Sequence, residues 1–146
     1  MRLTKGFGCV LAGAALALAL PGCKSSDKAP PTSSGFPEVT LHAKKANEVK
    51  VVAQEFFRGR GYVERDSRHV YEMVFDKPGK GERPSNALRV RLRLYKQPDD
   101  TWRLVGTPMG VESWRSELES EVVLPQGSSQ IQAFLAELKR RVEAGQ

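Results

Sequence analysis

Residues 88–95 alternate strictly between apolar and polar or basic side chains, and this period of two constrains the fold more than any other feature of the chain. Side chains of a β-strand point alternately to opposite faces, so one face of this strand is apolar and the other is charged. Such a strand packs one face on a core and turns the other to water, which is typical of antiparallel sheets. The core face would hold Leu88, Val90, Leu92 and Leu94, and the other face Arg89, Arg91, Arg93 and Tyr95.

Shorter period-two patterns predict further strands on both sides of this one. A Pro/Gly-rich loop precedes it, and a turn rich in Pro and Asp follows it. We expect Pro108 and Gly110 to interrupt the last strand, and we leave the segment 111–124 as extended chain without a clear assignment. The predicted strands cover residues 62–65, 69–75 and 101–107, while residues 39–42 are either a strand or the lead-in to a helix.

Two amphipathic patterns with the helical period flank the strands. The first helix covers residues 47–58, with Asn47 as its N-cap, a glycine after Arg58 as its left-handed end, and Phe57 at the edge of the packed stripe. The second begins at Ser128 or Ser129. The apolar stripes are Val49, Val52, Ala53 and Phe56 in the first helix, and Ile131, Phe134, Leu135, Leu138 and Val142 in the second.

Both helices must bury their apolar stripes, and the sheet has one apolar face to receive them. We therefore predict an α+β fold in which two helices pack on one face of an antiparallel sheet of about four to five strands. This fold would be a single domain over residues 37–146. The order helix, strands, helix resembles the helix-grip-like domains of some lipoproteins in the outer-membrane assembly machinery.

The first 22 residues have the layout of a secretory signal. Arg2 and Lys5 give a short positive region, an apolar stretch follows, and the signal ends at Leu20-Pro21-Gly22-Cys23. This ending resembles the lipobox of bacterial lipoproteins. The resemblance implies cleavage before Cys23 and a thioether-linked diacylglycerol with an amide-linked acyl chain, such as palmitate, on that cysteine. Lys24 after the cysteine implies the outer membrane, on its periplasmic side, if the source is Gram-negative.

Two other fates of the N-terminus remain open. Cleavage after Ala17-Leu18-Ala19 would satisfy the small-x-small rule and would leave Cys23 as a free thiol. An uncleaved anchor would need an apolar stretch of ~20 residues, which is longer than the one present. Residues 24–35 are rich in Ser, Pro and Lys, so we interpret residues 23–36 as the lipidated cysteine and a disordered tether.

Charge and cysteine content exclude several classes of function. Cleavage before Cys23 would remove Arg2 and Lys5, so that 21 basic and 17 acidic residues would remain, a net charge of +4. This mild charge does not indicate nucleic-acid binding. The two cysteines are Cys9, in the signal, and Cys23, so the folded domain has no disulfide and no cysteine metal site.

No motif indicates catalysis or a cofactor. The chain has two histidines, His42 and His69, and we expect His69 to be a packed or rim residue of its strand rather than a metal ligand. We predict no enzyme, no cofactor and no metal. We expect a binding or scaffolding module of the cell envelope with an envelope protein as partner, or alternatively a lipid or small-molecule carrier. A cavity lined by Tyr71, Met73, Phe75, Phe134 and Leu138 would favour the carrier.

Two features are candidate surfaces. Arg89, Arg91 and Arg93 form either a basic binding surface or a solvated sheet face. On the second interpretation, Glu72 and Asp76 of the preceding strand pair with the arginines across the strands. Trp114, flanked by charged and polar residues, marks either a partner surface or an aromatic side chain resting on the sheet edge.

Overall fold

The strand that alternates most clearly in the sequence lies at the centre of the sheet. The computed structural model describes residues 32–145, so the signal and Cys23 lie outside the described residues. The described part confirms the α+β fold, with six antiparallel strands where about four to five were expected. Its elements are β1 (Glu38–Leu41), α1 (Ala46–Arg58), β2 (Val63–Arg65), β3 (Glu72–Pro78), β4 (Asn86–Lys96), β5 (Trp102–Glu112), β6 (Ser120–Val123), a 3-10 turn (Pro125–Gly127) and α2 (Ser128–Glu143).

The strand order is β1-β5-β4-β3-β2, and β6 also pairs with β5. β1 pairs with the first part of β5, from Trp102 to Val105, and β6 pairs with the last part, from Met109 to Glu112. β1 and β6 therefore lie one after the other along the same side of β5. Both helices contact the sheet and each other, so one sheet face is covered and the other carries no helix. We call the uncovered side the open face.

Aromatic rings fill much of the space between the helices and the sheet. Phe57 is fully buried, which contradicts its expected place at the packing edge. Its ring stacks on Phe75 at 4.6 Å between centroids and meets Phe134 edge-on at 6.0 Å. The reason is that α1 packs against both the sheet and α2. A helix with two neighbours buries a wider arc than a single stripe.

The helix ends differ from the sequence prediction at the N-termini and agree at one C-terminus. α1 begins at Ala46 after Lys45, and α2 begins at Ser128 after Gly127, so neither Asn47 nor a serine is the N-cap. At the end of α1, Gly61 has a positive φ of 78°. Tyr62 N donates to Phe57 O at 3.1 Å, which is the left-handed glycine ending that the sequence predicted.

β5 runs through Pro108 and Gly110 without interruption, contrary to expectation. Leu124 N donates to Pro108 O at 2.9 Å, on the β6 side of the strand. The N and O atoms of a strand residue point to the same side, so the missing N–H of Pro108 also faces away from β4. The ladder between β4 and β5 therefore loses no hydrogen bond at the proline.

β3 begins at Glu72, later than predicted, because the residues before it form a turn in which Glu72 N donates to His69 O. His69 and Tyr71 are therefore exposed and outside the strand, so the expected place of His69 in a strand is wrong. Trp102 belongs to the buried core. No helix among the described residues is long and apolar enough to cross a membrane.

Candidate functional site

The open face carries the arginines of β4 together with carboxylates from its neighbours. The strand register places Asp76 opposite Arg89 and Glu72 opposite Arg93. Residues in register on antiparallel strands point to the same face, so these opposite charges meet there. Since Met73 and Phe75 point to the helices, the alternation of β3 sends its two acids to the open face.

Arg89 and Asp76 form a buried ion pair at the centre of this face. Arg89 Nε lies 2.6 Å from Asp76 Oδ1, and Arg89 Nη2 lies 2.7 Å from Asp76 Oδ2. Arg89 is 4% exposed and Asp76 is fully buried. A uniformly solvated row of arginines is therefore wrong for Arg89, although Arg91 and Arg93 do lie at the surface.

Residues 113–119 bury this pair by crossing the open face. Trp114 Nε1 donates to Asp76 Oδ2 at 2.7 Å, so the indole lies on the open face and not at the sheet edge. Glu119 pairs with Arg65 at 3.1 Å and with Arg89 at 2.9 Å. Asp76, Trp114 and Glu119 were not assigned as a group from the sequence, because no local pattern connects β3 with a loop so far along the chain.

Hydrogen bonds and opposite charges keep Asp76, Arg89 and Glu119 ionised. Burial by itself raises the pKa of the Asp76 carboxyl, but hydrogen bonds from Arg89 and Trp114 and the charges of Arg89 and Arg65 hold that pKa below its ordinary value. Hydrogen bonding to Asp76 in turn raises the pKa of Arg89. Burial and hydrogen bonding oppose each other in the same way at Glu119, whose pKa is also lowered. Asp76 and Glu119 therefore stay ionised at neutral pH, and Arg89 matches the charge of both.

Apart from Arg89, which is less exposed than its partners Glu119 and Glu121, the arginines of the open face are more exposed than the carboxylates with which they pair. Arg93 has 45% of its side chain exposed, whereas its partner Glu72 has 9%. Arg65, Arg91 and Arg103 are likewise more exposed than the acids with which they pair. Five arginines and five carboxylates contribute to these pairs, so their formal charges cancel. The residues are Arg65, Arg89, Arg91, Arg93 and Arg103, with Glu38, Glu72, Asp76, Glu119 and Glu121.

The chain enters the domain on this same face. Arg103 Nη1 donates to Ser33 Oγ at 3.2 Å, and Ser33 Oγ donates to Glu38 Oε1 at 2.8 Å. Gly106 N donates to Pro37 O at 2.8 Å, and Pro37 is fully buried. Ser34 and Phe36 line a hollow of about 360 Å³ with open-face residues of β4 and β5, including Arg91, Arg93 and Arg103. Residues 32–37 are therefore held against the open face.

A second surface lies at the far end of β5, on the helix side of the sheet. Leu88 and Val122 are 50% and 57% exposed, although their strand positions face the helix layer. They line a mostly apolar hollow of about 560 Å³ with Gly110 and Leu124. We call this the apolar hollow. It lies beside β6, whose single strand neighbour among the described residues is β5.

The interior residues expected to line a carrier cavity pack against one another or lie at the surface. Phe75 stacks on Phe57, and Phe134 contacts both Phe56 and Phe57. Tyr71 is half-exposed and contacts Trp102 with its ring. Within residues 32–145, no group of three or more His, Cys, Asp or Glu side chains is placed to hold a metal ion.

No known family model matches the chain, and no curated protein matches it in sequence.

Proposed function

We propose that this chain is a lipid-anchored binding module of a bacterial cell envelope, which docks another envelope protein on β6. The observation that carries the docking step is the pairing of β6 on one side only, next to the apolar hollow. A strand with one open side presents backbone donors and acceptors to an additional strand. The hollow offers a place for apolar side chains of the same partner segment.

The direction of the backbone groups in β6 defines the docking site. Leu124 N donates to Pro108 O, so every second residue before it, including Val122, also turns its N–H toward β5. Val123 and Glu121 therefore turn their N–H and C=O groups outward. An added strand would bond to these two residues, with Val122 next to it on the hollow side.

The filled core favours this function over the carrier. The stacked and edge-on contacts among Phe56, Phe57, Phe75 and Phe134 occupy the space where a ligand between the two layers would lie. Close packing of this kind leaves little room for a small molecule without displacing side chains. The lipid anchor itself is supported by the sequence at Cys23 and requires its own test.

The anchor is tested by a Cys23→Ser substitution in the full chain, with the mass of the purified protein as the readout. Wild type should carry the mass of a diacylglycerol and an acyl chain on an N-terminal cysteine and should float with membranes. The variant should lack that mass and should remain in the aqueous fraction. A wild-type protein with an unmodified Cys23 would contradict the anchor.

Docking is tested by site-specific photo-crosslinking in cells from position 122, with position 51 as the control. Val51 is a similarly exposed valine on α1, away from the apolar hollow. We expect one discrete protein adduct from position 122 and none from position 51. Adducts of equal yield from both positions, or no adduct, would contradict docking on β6.

A pair of proline variants tests whether the partner adds a strand. Val123→Pro removes an outward N–H and should abolish the adduct while leaving the melting temperature nearly unchanged. Val122→Pro removes a bond to β5 and should lower the melting temperature as well. An adduct that persists in a folded Val123→Pro protein would exclude strand addition.

A further inference from the structure

The tether predicted from the sequence reaches the domain at the open face. Thr32 is the first described residue, and Ser33 already contacts Arg103 on that face. Cys23 lies nine residues before Thr32. Nine residues span at most about 30 Å when fully extended, and any other path is shorter.

This length limits how the domain can face a membrane that holds Cys23. A domain of this size is roughly 30 Å across. Turning the helix layer toward the membrane would lift Thr32 by about the thickness of the domain, and the tether would then need its full length. Turning the open face toward the membrane brings Thr32 close to the surface and leaves the tether slack. The attachment point therefore favours the open face.

The chemistry of the open face near the attachment point suits an anionic surface. Arg91, Arg93 and Arg103 line one hollow with Phe36, which is itself partly exposed. Arg91, Arg93 and Arg103 are the charged residues that line this hollow, and the neighbouring Glu38 and Glu72 have smaller exposed fractions than the arginines with which they pair. Arginine offers several N–H donors in a planar fork, which fits phosphate oxygens. An aromatic side chain beside them can enter the headgroup region.

Charges at the rim of the open face do not oppose this arrangement. Asp66 and Arg68 are both exposed at one side of the face, and Arg115 and Glu117 are both exposed on the crossing loop. Each pair contributes one charge of either sign. The rim charges therefore cancel, which leaves the three arginines of the hollow, together with Glu121 beside Arg91, as the charged groups nearest a docked surface.

We propose that the open face around Arg91, Arg93 and Arg103 docks on the anionic headgroups of the membrane in which Cys23 is anchored. This inference rests on the lipid anchor of the proposed function, but not on the protein partner at β6. Since acids and arginines are equal in number on this face, the docking is weak by itself. The tether makes it effective by holding the face at high local concentration. Docking this way leaves the apolar hollow, which lies on the helix side, accessible to a protein.

The test uses the lipidated full-length protein purified from membranes and reconstituted in vesicles. In a Trp102→Phe variant, Trp114 is the single remaining tryptophan, and it lies on the open face. A nitroxide on the lipid headgroup quenches tryptophan that comes close to the surface. We expect strong quenching of Trp114 in vesicles that contain phosphatidylglycerol and weak quenching in phosphatidylcholine alone. Salt at ~1 M, where the Debye length is about 3 Å, should remove the difference.

Two matched double variants distinguish an effect of the open face from an effect of the overall net charge on membrane docking. Arg93→Gln with Arg103→Gln removes two outer arginines and leaves Arg91 to neutralise Glu72. Each basic side chain near an anionic surface contributes about fivefold, so the ratio of docked to undocked protein should fall by about 30-fold. Arg58→Gln with Arg140→Gln removes the same charge from exposed positions on the two helices and should change quenching little.

The possible negative results distinguish a failure of the open-face docking from a failure of the lipid anchor. A protein that floats with both kinds of vesicle but shows equal quenching in them keeps its anchor and overturns the docking of the open face. Equal loss in the two double variants would mean that net charge, and not this face, attracts the membrane, which also overturns it. A protein that floats with neither kind of vesicle lacks the anchor, and both proposals then fail. Melting temperatures of the variants, compared with the parent, verify that each is folded.

Discussion

Arg89 and Asp76 meet across neighbouring strands as a two-point ion pair on the open face, with N···O distances of 2.6 and 2.7 Å. The pair is buried although no helix covers it, because residues 113–119 cross the open face above it. Trp114 adds a third hydrogen bond to the same carboxylate. Burial on the open face extends beyond this pair, because Val74, Met109 and Val111 point to the same face and are also buried.

Removing Arg89 should destabilise the fold strongly, because the buried carboxylate of Asp76 would lose its cationic partner. We expect Arg89→Met to lower the free energy of unfolding by about 3–5 kcal/mol, the usual cost of breaking a buried pair from one side. Arg93→Met, on the same strand and face, removes a half-exposed pair and should cost less than about 1 kcal/mol. Urea unfolding of both variants measures the contrast. Similar losses in the two would show that Arg89 is not buried in solution.

Acid should destabilise the fold through Asp76. The folded state holds the pKa of Asp76 below its ordinary value of 3.8, so the carboxylate contributes stability at neutral pH. That contribution is fully present above about pH 5 and is lost as pH falls through and below the ordinary value. Asp76→Asn should be less stable at pH 7 and should show a flatter decline of melting temperature below pH 5. If the melting temperatures of variant and wild type declined in parallel below pH 5, Asp76 would not be the cause of the acid destabilisation.

The crossing loop contains residues in the left-handed backbone region. Ser113 has a φ of 51° and Arg115 a φ of 61°, and both flank Trp114. A left-handed residue other than glycine costs roughly 1–2 kcal/mol, while glycine gives back part of the gain through its freedom in the unfolded chain. We expect Ser113→Gly to raise the free energy of unfolding by about 0.5–1 kcal/mol.

The control for this variant is Ser116→Gly in the same loop. Ser116 Oγ donates to Ser113 O at 2.7 Å, and its φ is not positive. Its replacement should therefore lower the free energy of unfolding by about 1 kcal/mol. Thermal unfolding should show shifts of opposite sign for the two serines. A loss of stability in both would indicate that the loop geometry is not strained at Ser113.

The sequence predicted the centre of the sheet well, because β4 alternates between apolar and charged residues. Its two partners in the sheet, β3 and β5, are also the strands next to it in the chain. It also predicted which acids share a face with the arginines, since alternation alone determines that. It did not separate Arg89 from Arg93, although the two have the same local pattern. What buries Arg89 is a distant segment that ends in Glu119, and no periodicity in β4 reports that segment.

The wrong predictions elsewhere have similar causes. Pro108 was expected to end β5 because proline cannot donate to a ladder, but its nitrogen faces the side where β1 has ended and β6 begins. Phe57 was expected at an edge because a single apolar stripe predicts one packing partner, whereas α1 packs against two, the sheet and α2. In both cases the sequence rule itself is valid. The positions of the neighbouring strands and helices determine what consequence it has in the fold.

Two glycines of β5 offer a last contrast within one strand. Gly106 and Gly110 both pair with residues of β4 that point to the helix side. A Cβ at Gly106 would lie 2.6 Å from Ile131 Cγ2, inside the packed core, whereas a Cβ at Gly110 would meet its nearest atom, Leu124 Cδ1, at 3.5 Å. Gly106→Ala should therefore lower the free energy of unfolding by about 1–3 kcal/mol through overpacking against α2. Gly110→Ala should be neutral or slightly stabilising, because alanine restricts the unfolded chain and fits the space. Thermal unfolding of the two alanine variants decides the matter, and a stable Gly106→Ala protein would mean that α2 packs less closely on β5 than these distances require.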